Sequence, residues 1–303
     1  MLRNFQEVLA WAKRPGQMTI SVAAAQDKDV LQAVKLAQDN GLANPLLVGD
    51  GAAIRPLLAE VGLPADTPVV DEKDMTKAAL TAVSLVSKGE AQVVMKGLIN
   101  TSDFLKAVLH PEVGLRTGRL LSHLAVFEVP GEPKLVFHSD GGMNIAPTLA
   151  EKKDILVSAM LALRSLGIER PNVAVLTANE QVSPKMPATM DAKALVDMAA
   201  TGELPPGIVE GPIALDVALS PEAARHKGLS SRISGQVDLF LMPNIETGNA
   251  LGKATLYYGK AKMAGIVLGA KSPIVLTSRS ETAEGKLYSI ALACLAAGGA
   301  ERR

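Results

Sequence analysis

Ser278 and Arg279 set a hydroxyl beside a guanidinium where an apolar run stops, in the stretch PIVLTSRSETAEGK at residues 273–286. Arg presents a planar fork of donors that stays charged, so the pair suits phosphate or an oxyanion. Its place in the chain adds to this. Ile274, Val275 and Leu276 are apolar without alternation, as in a buried parallel strand, and Leu287, Ile290, Ala291 and Cys294 then recur at helical spacing. The result is a strand-to-helix turn, and in an open α/β sheet such turns lie at the carboxyl ends of strands, where ligands bind. The following helix offers unpaired N–H groups to an anion. A capping Ser beside a solvated Arg is the competing structural reading.

Two further turns have the same character. His138-Ser139-Asp140-Gly141-Gly142-Met143-Asn144 follows a strand run and precedes a helix start, with glycines that let backbone approach a ligand and with Asp140 and Asn144 as polar side chains. Pro243-Asn244-Ile245-Glu246-Thr247-Gly248-Asn249 also runs from a strand end into a helix, so Thr247, Gly248 and Asn249 are expected to present a hydroxyl, an amide and free N–H groups. Together with Arg119 and Arg279, these turns predict a polar cleft. Other signals fail on their chemistry. The run GIVLGAKS at 265–272 lacks the last Gly of a P-loop and leads into a strand, no G-x-S-x-G elbow occurs, and His110, His123, His138 and His226 show no metal-ligand spacing. His123 and His138 flank the expected hairpin within reach of the cleft, and a structural or rim role is favoured for each over a place in the site.

The elements that must hold these turns alternate. Strands are predicted over 18–25, 45–49, 68–70 and 92–96, with helices between them, the first opened by Asp27 as an N-cap. This is the βαβ pattern of a mostly parallel sheet. Runs over 121–129 and 134–138, joined by Pro130-Gly131-Glu132-Pro133, read as a hairpin and so as entry into a second domain of mixed strand direction. Thr148 and Glu151 form a capping box, and strands are expected over 172–177, 212–219, 237–242 and 264–269, with helices over 191–200 and from Ser220. The expected domains are 1–122 with 270–303, and 123–269 inserted, with the active-site cleft between them.

Composition narrows the class. Of 303 residues, 48% are apolar and only 3% aromatic, so the core is built from aliphatic side chains in helix-on-sheet layers. Lys plus Arg and Asp plus Glu both number 31, which argues against a general nucleic-acid or acidic-membrane binder. The lone Cys294 allows neither an intrachain disulfide nor a Cys-rich metal site. The charged, amphipathic opening MLRNFQEVLAWAKR is unlike a signal peptide, and a cytoplasmic protein is expected.

The segments SDGGMNIAP, GPIALDVALSPEAARHKGLSSRISGQVDLFLMPNIETGNALGK and PIVLTSRSETAE resemble the phosphate acetyltransferase and phosphate butyryltransferase family. So does the order of Lys96-Gly97, Leu121-Ser122-His123, Asp140-Gly141-Gly142, Thr247-Gly248-Asn249 and Ser278-Arg279; the resemblance runs from Phe5 to about Ala296 and looks closer to the butyryl branch. It implies a two-domain α/β/α fold of the isocitrate/isopropylmalate-dehydrogenase-like type and a homo-oligomer. It implies reversible acyl transfer between coenzyme A and inorganic phosphate, with coenzyme A as a substrate, no tightly bound cofactor, no metal, and neither nucleic acid nor membrane as partner. By motif position, Ser278 and Arg279 would bind phosphate and stabilise the oxyanion, with Arg119 as a second anion contact. Ser122, Asp140, Asn144, Thr247, Gly248 and Asn249 would bind the substrates. Acetyl-branch members carry an acidic pair after the Ser-Arg turn that is thought to include the base for the thiol proton. Glu284 matches its first member and Gly285 stands at the second, so Glu284 is the expected base, with Glu281 and Asp140 behind it. A phosphate acetyltransferase is the alternative. More remote are a silent coenzyme A-binding relative and a decarboxylating dehydrogenase, for which no aspartate cluster is found.

Overall fold

Largely apolar strands alternate with helices that are capped by an Asp or Asn through the first part of the chain. The elements are α1 (Phe5–Ala12), β1 (Met18–Ala23), α2 (Lys28–Asp39), β2 (Ala43–Gly49), α3 (Gly51–Val61), β3 (Val69–Asp71), α4 (Met75–Ser87), β4 (Val93–Lys96) and α5 (Thr101–Val108). Asn4, Asp27, Asp50, Asp74 and Asn100 each accept a hydrogen bond from a backbone N–H in the first turn of the helix they precede. Such a cap contributes about 1 kcal/mol, and those of α2, α3, α4 and α5 place the start of the helix a few residues past the carboxyl end of a strand. The computed structural model describes residues 2–14, 16–277 and 281–300.

The chain then forms β5 (Ser122–Glu128) and β6 (Val136–Ser139), the expected antiparallel hairpin, with Ala125 opposite His138 and Phe127 opposite Val136. There follow α6 (Leu149–Ser165), β7 (Asn172–Leu176), α7 (Pro187–Ala200), β8 (Ile208–Ile213), α8 (Leu215–Leu219), α9 (Pro221–His226), β9 (Leu239–Leu241), α10 (Ile245–Tyr257), β10 (Lys262–Leu268), β11 (Ile274–Val275) and α11 (Ala283–Ala300). The capping box is present: Thr148 Oγ1 accepts from the Glu151 N–H, and Glu151 accepts from the Thr148 N–H.

Two units result. One holds 4–119 and the chain from Ala264 onward; the other holds 120–263 with Leu2 and Arg3. The return falls at Ala264 and not at Ala270, because β10 pairs antiparallel with β11 through Val267 and Ile274 and so belongs with that hairpin. In the first unit the strands run β3-β2-β1-β4-β11-β10, and β1, β2, β3, β4 and β11 are mutually parallel. The chain therefore leaves β1, β4 and β11 at the same end of the sheet. In the other unit the order is β5-β6-β9-β7-β8, and every pair but β5 with β6 is parallel.

One predicted strand is wrong in extent. The run expected as a strand over 212–219 is divided: β8 ends at Ile213, and α8 turns Val217 and Ala218 into a core that includes Leu176, Ile213, Ala224, Ile233 and Phe240. A short apolar run fits either period, and the pairing of Leu176 with Ile213 settles where the strand stops. The closing helix follows its spacing. In α11, Leu287, Ile290, Leu292 and Leu295 are all buried, and each contributes roughly 1.5–3 kcal/mol by its burial.

Candidate active site

Residues 120–263 gather most of the predicted site residues, and the sheet is the reason. β6 and β9 lie side by side and parallel, with Ser139 in register with Leu241 and the Met242 N–H donating to the Ser139 carbonyl at 2.7 Å. The turn after Ser139 and the turn after Met242 therefore emerge together at one carboxyl edge. Asp140 builds the first turn. Its Oδ1 accepts from the N–H groups of Gly142 (2.7 Å) and Met143 (3.0 Å), and its Oδ2 accepts from the Asn144 N–H (3.3 Å) and Asn144 Nδ2 (2.6 Å). Asn144 Nδ2 also donates to the Leu121 carbonyl at 2.9 Å. Both side chains are spent on holding this loop. Asp140 is 3% exposed, and both its oxygens are engaged within this turn.

The second turn is built by Asn244. It is the N-cap of α10, and its Oδ1 accepts from the Thr247 N–H at 2.9 Å, while the Gly248 N–H donates to the Asn244 carbonyl at 3.2 Å. Thr247, Gly248 and Asn249 thus lie within the first turns of the helix, and the N–H groups of Thr247 and Gly248 are not free. Their side chains and backbone surfaces are what they offer. Asn249 Nδ2 reaches the Gly141 carbonyl at 3.3 Å, tying the two turns together.

Gly141 and Gly248 make that junction possible. A Cβ at Gly248 would lie 2.6 Å from Gly141 Cα and 2.9 Å from the Asp140 carbonyl oxygen, and one at Gly141 would lie 2.6 Å from Gly248 C. Alanine within a helix is ordinarily better than glycine by about 1 kcal/mol. Here the sign reverses. Gly248→Ala is expected to lower stability by about 1–3 kcal/mol, because backbone rather than a flexible side chain must give way. Urea unfolding midpoints of the variant and the parent check this, and a stabilised variant would contradict the contact.

Ser122 and the neighbouring histidines complete this unit's part. Ser122 is fully buried, and its Oγ meets no hydrogen-bond partner among the described residues. The His123 ring lies over Gly142, whose added Cβ would be 3.2 Å from its Cγ and Nδ1; burial pushes its pKa down, against the opposing pull of the Asp140 charge. His138 is a core residue. Its ring centroid is 4.6 Å from Phe127 and 5.5 Å from Phe240, Nδ1 has no partner among the described residues, and burial pushes its pKa from 6.5 down to about 3. The unfolded chain takes up this proton as pH falls through about 6.5, whereas the folded protein takes it up only near 3. His138 therefore leaves stability unchanged above pH 6.5 and lowers it as pH drops towards 3, by roughly 1.4 kcal/mol per unit. Denaturant titrations from pH 7 to pH 4.5 should show this slope reduced in His138→Phe; an identical slope would remove His138 as its source.

The other unit supplies a different set. Lys96 ends β4, is 7% exposed, and donates from Nζ to the carbonyls of Gly97 (3.1 Å) and Ile99 (2.7 Å), shaping the loop that leaves the strand. Gly97 packs so closely on β1 that a Cβ would stand 2.4 Å from the Ala24 carbonyl oxygen. Arg119 is exposed in a loop fixed by Thr117, whose Oγ1 donates to the Gly269 carbonyl at 2.5 Å, and by the Lys271 N–H, which donates to the Leu115 carbonyl at 2.8 Å. Ser278 and Arg279, expected at the turn after β11, lie outside the described residues. Beyond them, Thr282 caps α11, its Oγ1 accepting from the Gly285 N–H at 3.1 Å.

Glu284 is exposed in the first turn of α11, where a carboxylate is favoured by the helix dipole, and it accepts a hydrogen bond from the Tyr288 hydroxyl. The departure at Gly285 has a steric counterpart. A Cβ there would come within 2.9 Å of Glu281 Oε1 and 3.0 Å of its Cγ, so the Glu281 carboxylate fills the space that a second acid at 285 would enter. Tyr288 itself escaped the sequence reading. Its signal was present: an aromatic one helical turn after Glu284, in a chain with few aromatics. Among the described residues no group of three His, Cys, Asp or Glu side chains could hold a metal ion, and no helix is long and apolar enough to cross a membrane.

Comparison with known proteins adds a second line. The family model described as phosphate acetyl/butaryl transferase matches residues 65–294. The chain is similar to the phosphate butyryltransferase of Clostridium acetobutylicum, at 46% identity over 299 residues covering 98% of this chain and 99% of the relative. It is 40% identical to the phosphate acetyltransferase of Thermotoga maritima over 291 residues, covering 96% of this chain and 99% of the relative. The solved structure of a branched-chain phosphotransacylase from Enterococcus faecalis V583 matches with a TM-score of 0.81 at 35% identity, covering 92% of this chain and 99% of that one.

Proposed function

The chain belongs to the phosphate acetyl/butaryl transferase family, and on that premise we propose that it catalyses acyl-CoA + phosphate = acyl phosphate + CoA, with butyryl the preferred acyl group. The observation that carries this reading is 46% identity to a phosphate butyryltransferase over nearly the whole of both chains. The acetyl relative at 40% identity favours one alternative, the same chemistry on acetyl-CoA. The reading brings with it coenzyme A as a substrate rather than a bound cofactor, and a cytoplasmic homo-oligomer.

In this reaction a phosphate oxygen attacks the thioester carbon, a tetrahedral oxyanion forms, and the C–S bond breaks to release the thiolate, which takes a proton. In the reverse direction a base removes the thiol proton and the sulfur attacks the acyl phosphate. Such chemistry needs charge stabilisation and positioning. Ser278 and Arg279 hold the phosphate and the developing oxyanion, and Arg119 contributes a second cation. Thr247 and Asn249 present a hydroxyl and an amide to the substrates from the first turns of α10. Asp140 and Asn144 keep the neighbouring turn in shape, Gly248 lets the turns approach, and Ser122 stands at the strand edge beneath them. Glu284 exchanges the thiol proton.

Acyl preference is tested by kcat/KM for acetyl-, propionyl- and butyryl-CoA at fixed phosphate. Each methylene that fits an apolar pocket is worth about 1–3 kcal/mol, so butyryl is expected to lead by at least tenfold. Acetyl-CoA in first place would move the protein to the alternative.

A further inference from the structure

Tyr288 is the largest fully buried side chain among the described residues, and its hydroxyl faces the candidate base. Its ring stacks on Phe5 with centroids 4.4 Å apart and planes 8° from parallel, so the phenol has little freedom to swing. A buried phenol needs a partner for its O–H. Here it has one on each side: Gln6 Nε2 donates to the Tyr288 oxygen at 3.4 Å, and the Tyr288 O–H donates to Glu284 Oε1. Because the amide nitrogen of Gln6 can only donate, the single phenolic hydrogen points to the carboxylate. The chain of donors runs one way, from α1 through Tyr288 to Glu284.

Glu284 is exposed on the first turn of α11, and its carboxylate receives the Tyr288 hydroxyl there. Tyr288 lies one turn later on the same helix, the i+4 neighbour, and its ring is anchored on α1. A base displaced by an ångström loses much of its effect, since proton transfer requires hydrogen-bond reach to the substrate.

We propose that Tyr288, held by Phe5 and Gln6, is a positioning residue that fixes the Glu284 carboxylate for proton exchange with the coenzyme A thiol; this rests on the assignment of Glu284 as the base. Tyr288→Phe removes the hydroxyl and keeps the ring that stacks on Phe5. In the parent protein it is expected to lower kcat about tenfold in the direction of acyl-CoA formation, with KM for coenzyme A and for acyl phosphate within twofold. In a Glu284→Gln background the same substitution should change kcat by less than twofold, because there is no base left to position. Thermal midpoints measured on all of these variants keep folding defects apart from kinetic ones.

An equal loss in both backgrounds would make Tyr288 merely structural and overturn the inference, as would an unchanged kcat in Tyr288→Phe alone. A change confined to KM would overturn it too. Parent-like turnover in Glu284→Gln by itself would instead remove the base assignment, and the inference with it, without reference to any Tyr288 variant.

Discussion

Arg279→Ala should lower turnover at least about a hundredfold, equivalent to roughly 3 kcal/mol of transition-state stabilisation, as for loss of an oxyanion donor. The expectation follows from chemistry at a motif position. On the proposed reading, the Arg279 guanidinium would meet an anion in the ground state and a more concentrated negative charge in the tetrahedral state. The loss should therefore appear mainly in kcat, with a smaller rise in KM for phosphate. Arg279→Lys keeps the charge but not the planar fork and should recover only part of the activity. Near-normal turnover in Arg279→Ala would take Arg279 out of the site.

Glu284→Gln is expected to reduce turnover by about 10²–10⁴, the usual span for a general base. The fold should survive, because the glutamine carbonyl oxygen can still accept from the Tyr288 hydroxyl and the residue lies exposed in the first turn of its helix. The measurement is kcat in both reaction directions together with the urea midpoint. Unchanged turnover would move the base to Glu281, whose carboxylate occupies the space beside Gly285. It would not move it to Asp140, whose oxygens accept from Gly142, Met143 and Asn144 within their own turn.

Much of this was legible from local chemistry. Asp27, Thr148 and Glu151 announce helix starts because their side chains satisfy N–H groups only a few residues away, and the α11 stripe through Leu287, Ile290 and Cys294 reflects a period that one helix imposes on itself. The hairpin of β5 and β6 is similarly local. What could not be read is what distant pairing decides. Residues 212–219 divide into strand and helix because β7 pairs β8 only as far as Ile213. The turns at Asp140 and Asn244 are neighbours because β9 inserts between β6 and β7, an order the sequence does not display. That adjacency turns Gly141 and Gly248 from flexible loop residues into a backbone contact. The Asn244 cap, which consumes the Thr247 N–H, is by contrast a short-range signal, an Asn three residues before the N–H it satisfies.

The most direct test of the account is thiol release from butyryl-CoA by the purified protein, without added metal, in the presence and absence of inorganic phosphate. Release should depend on phosphate, saturate with it, and yield acyl phosphate in equal amount to free coenzyme A. Release at the same rate without phosphate, or none from butyryl-, propionyl- or acetyl-CoA at any phosphate concentration, would contradict acyl transfer to phosphate as the activity of this chain.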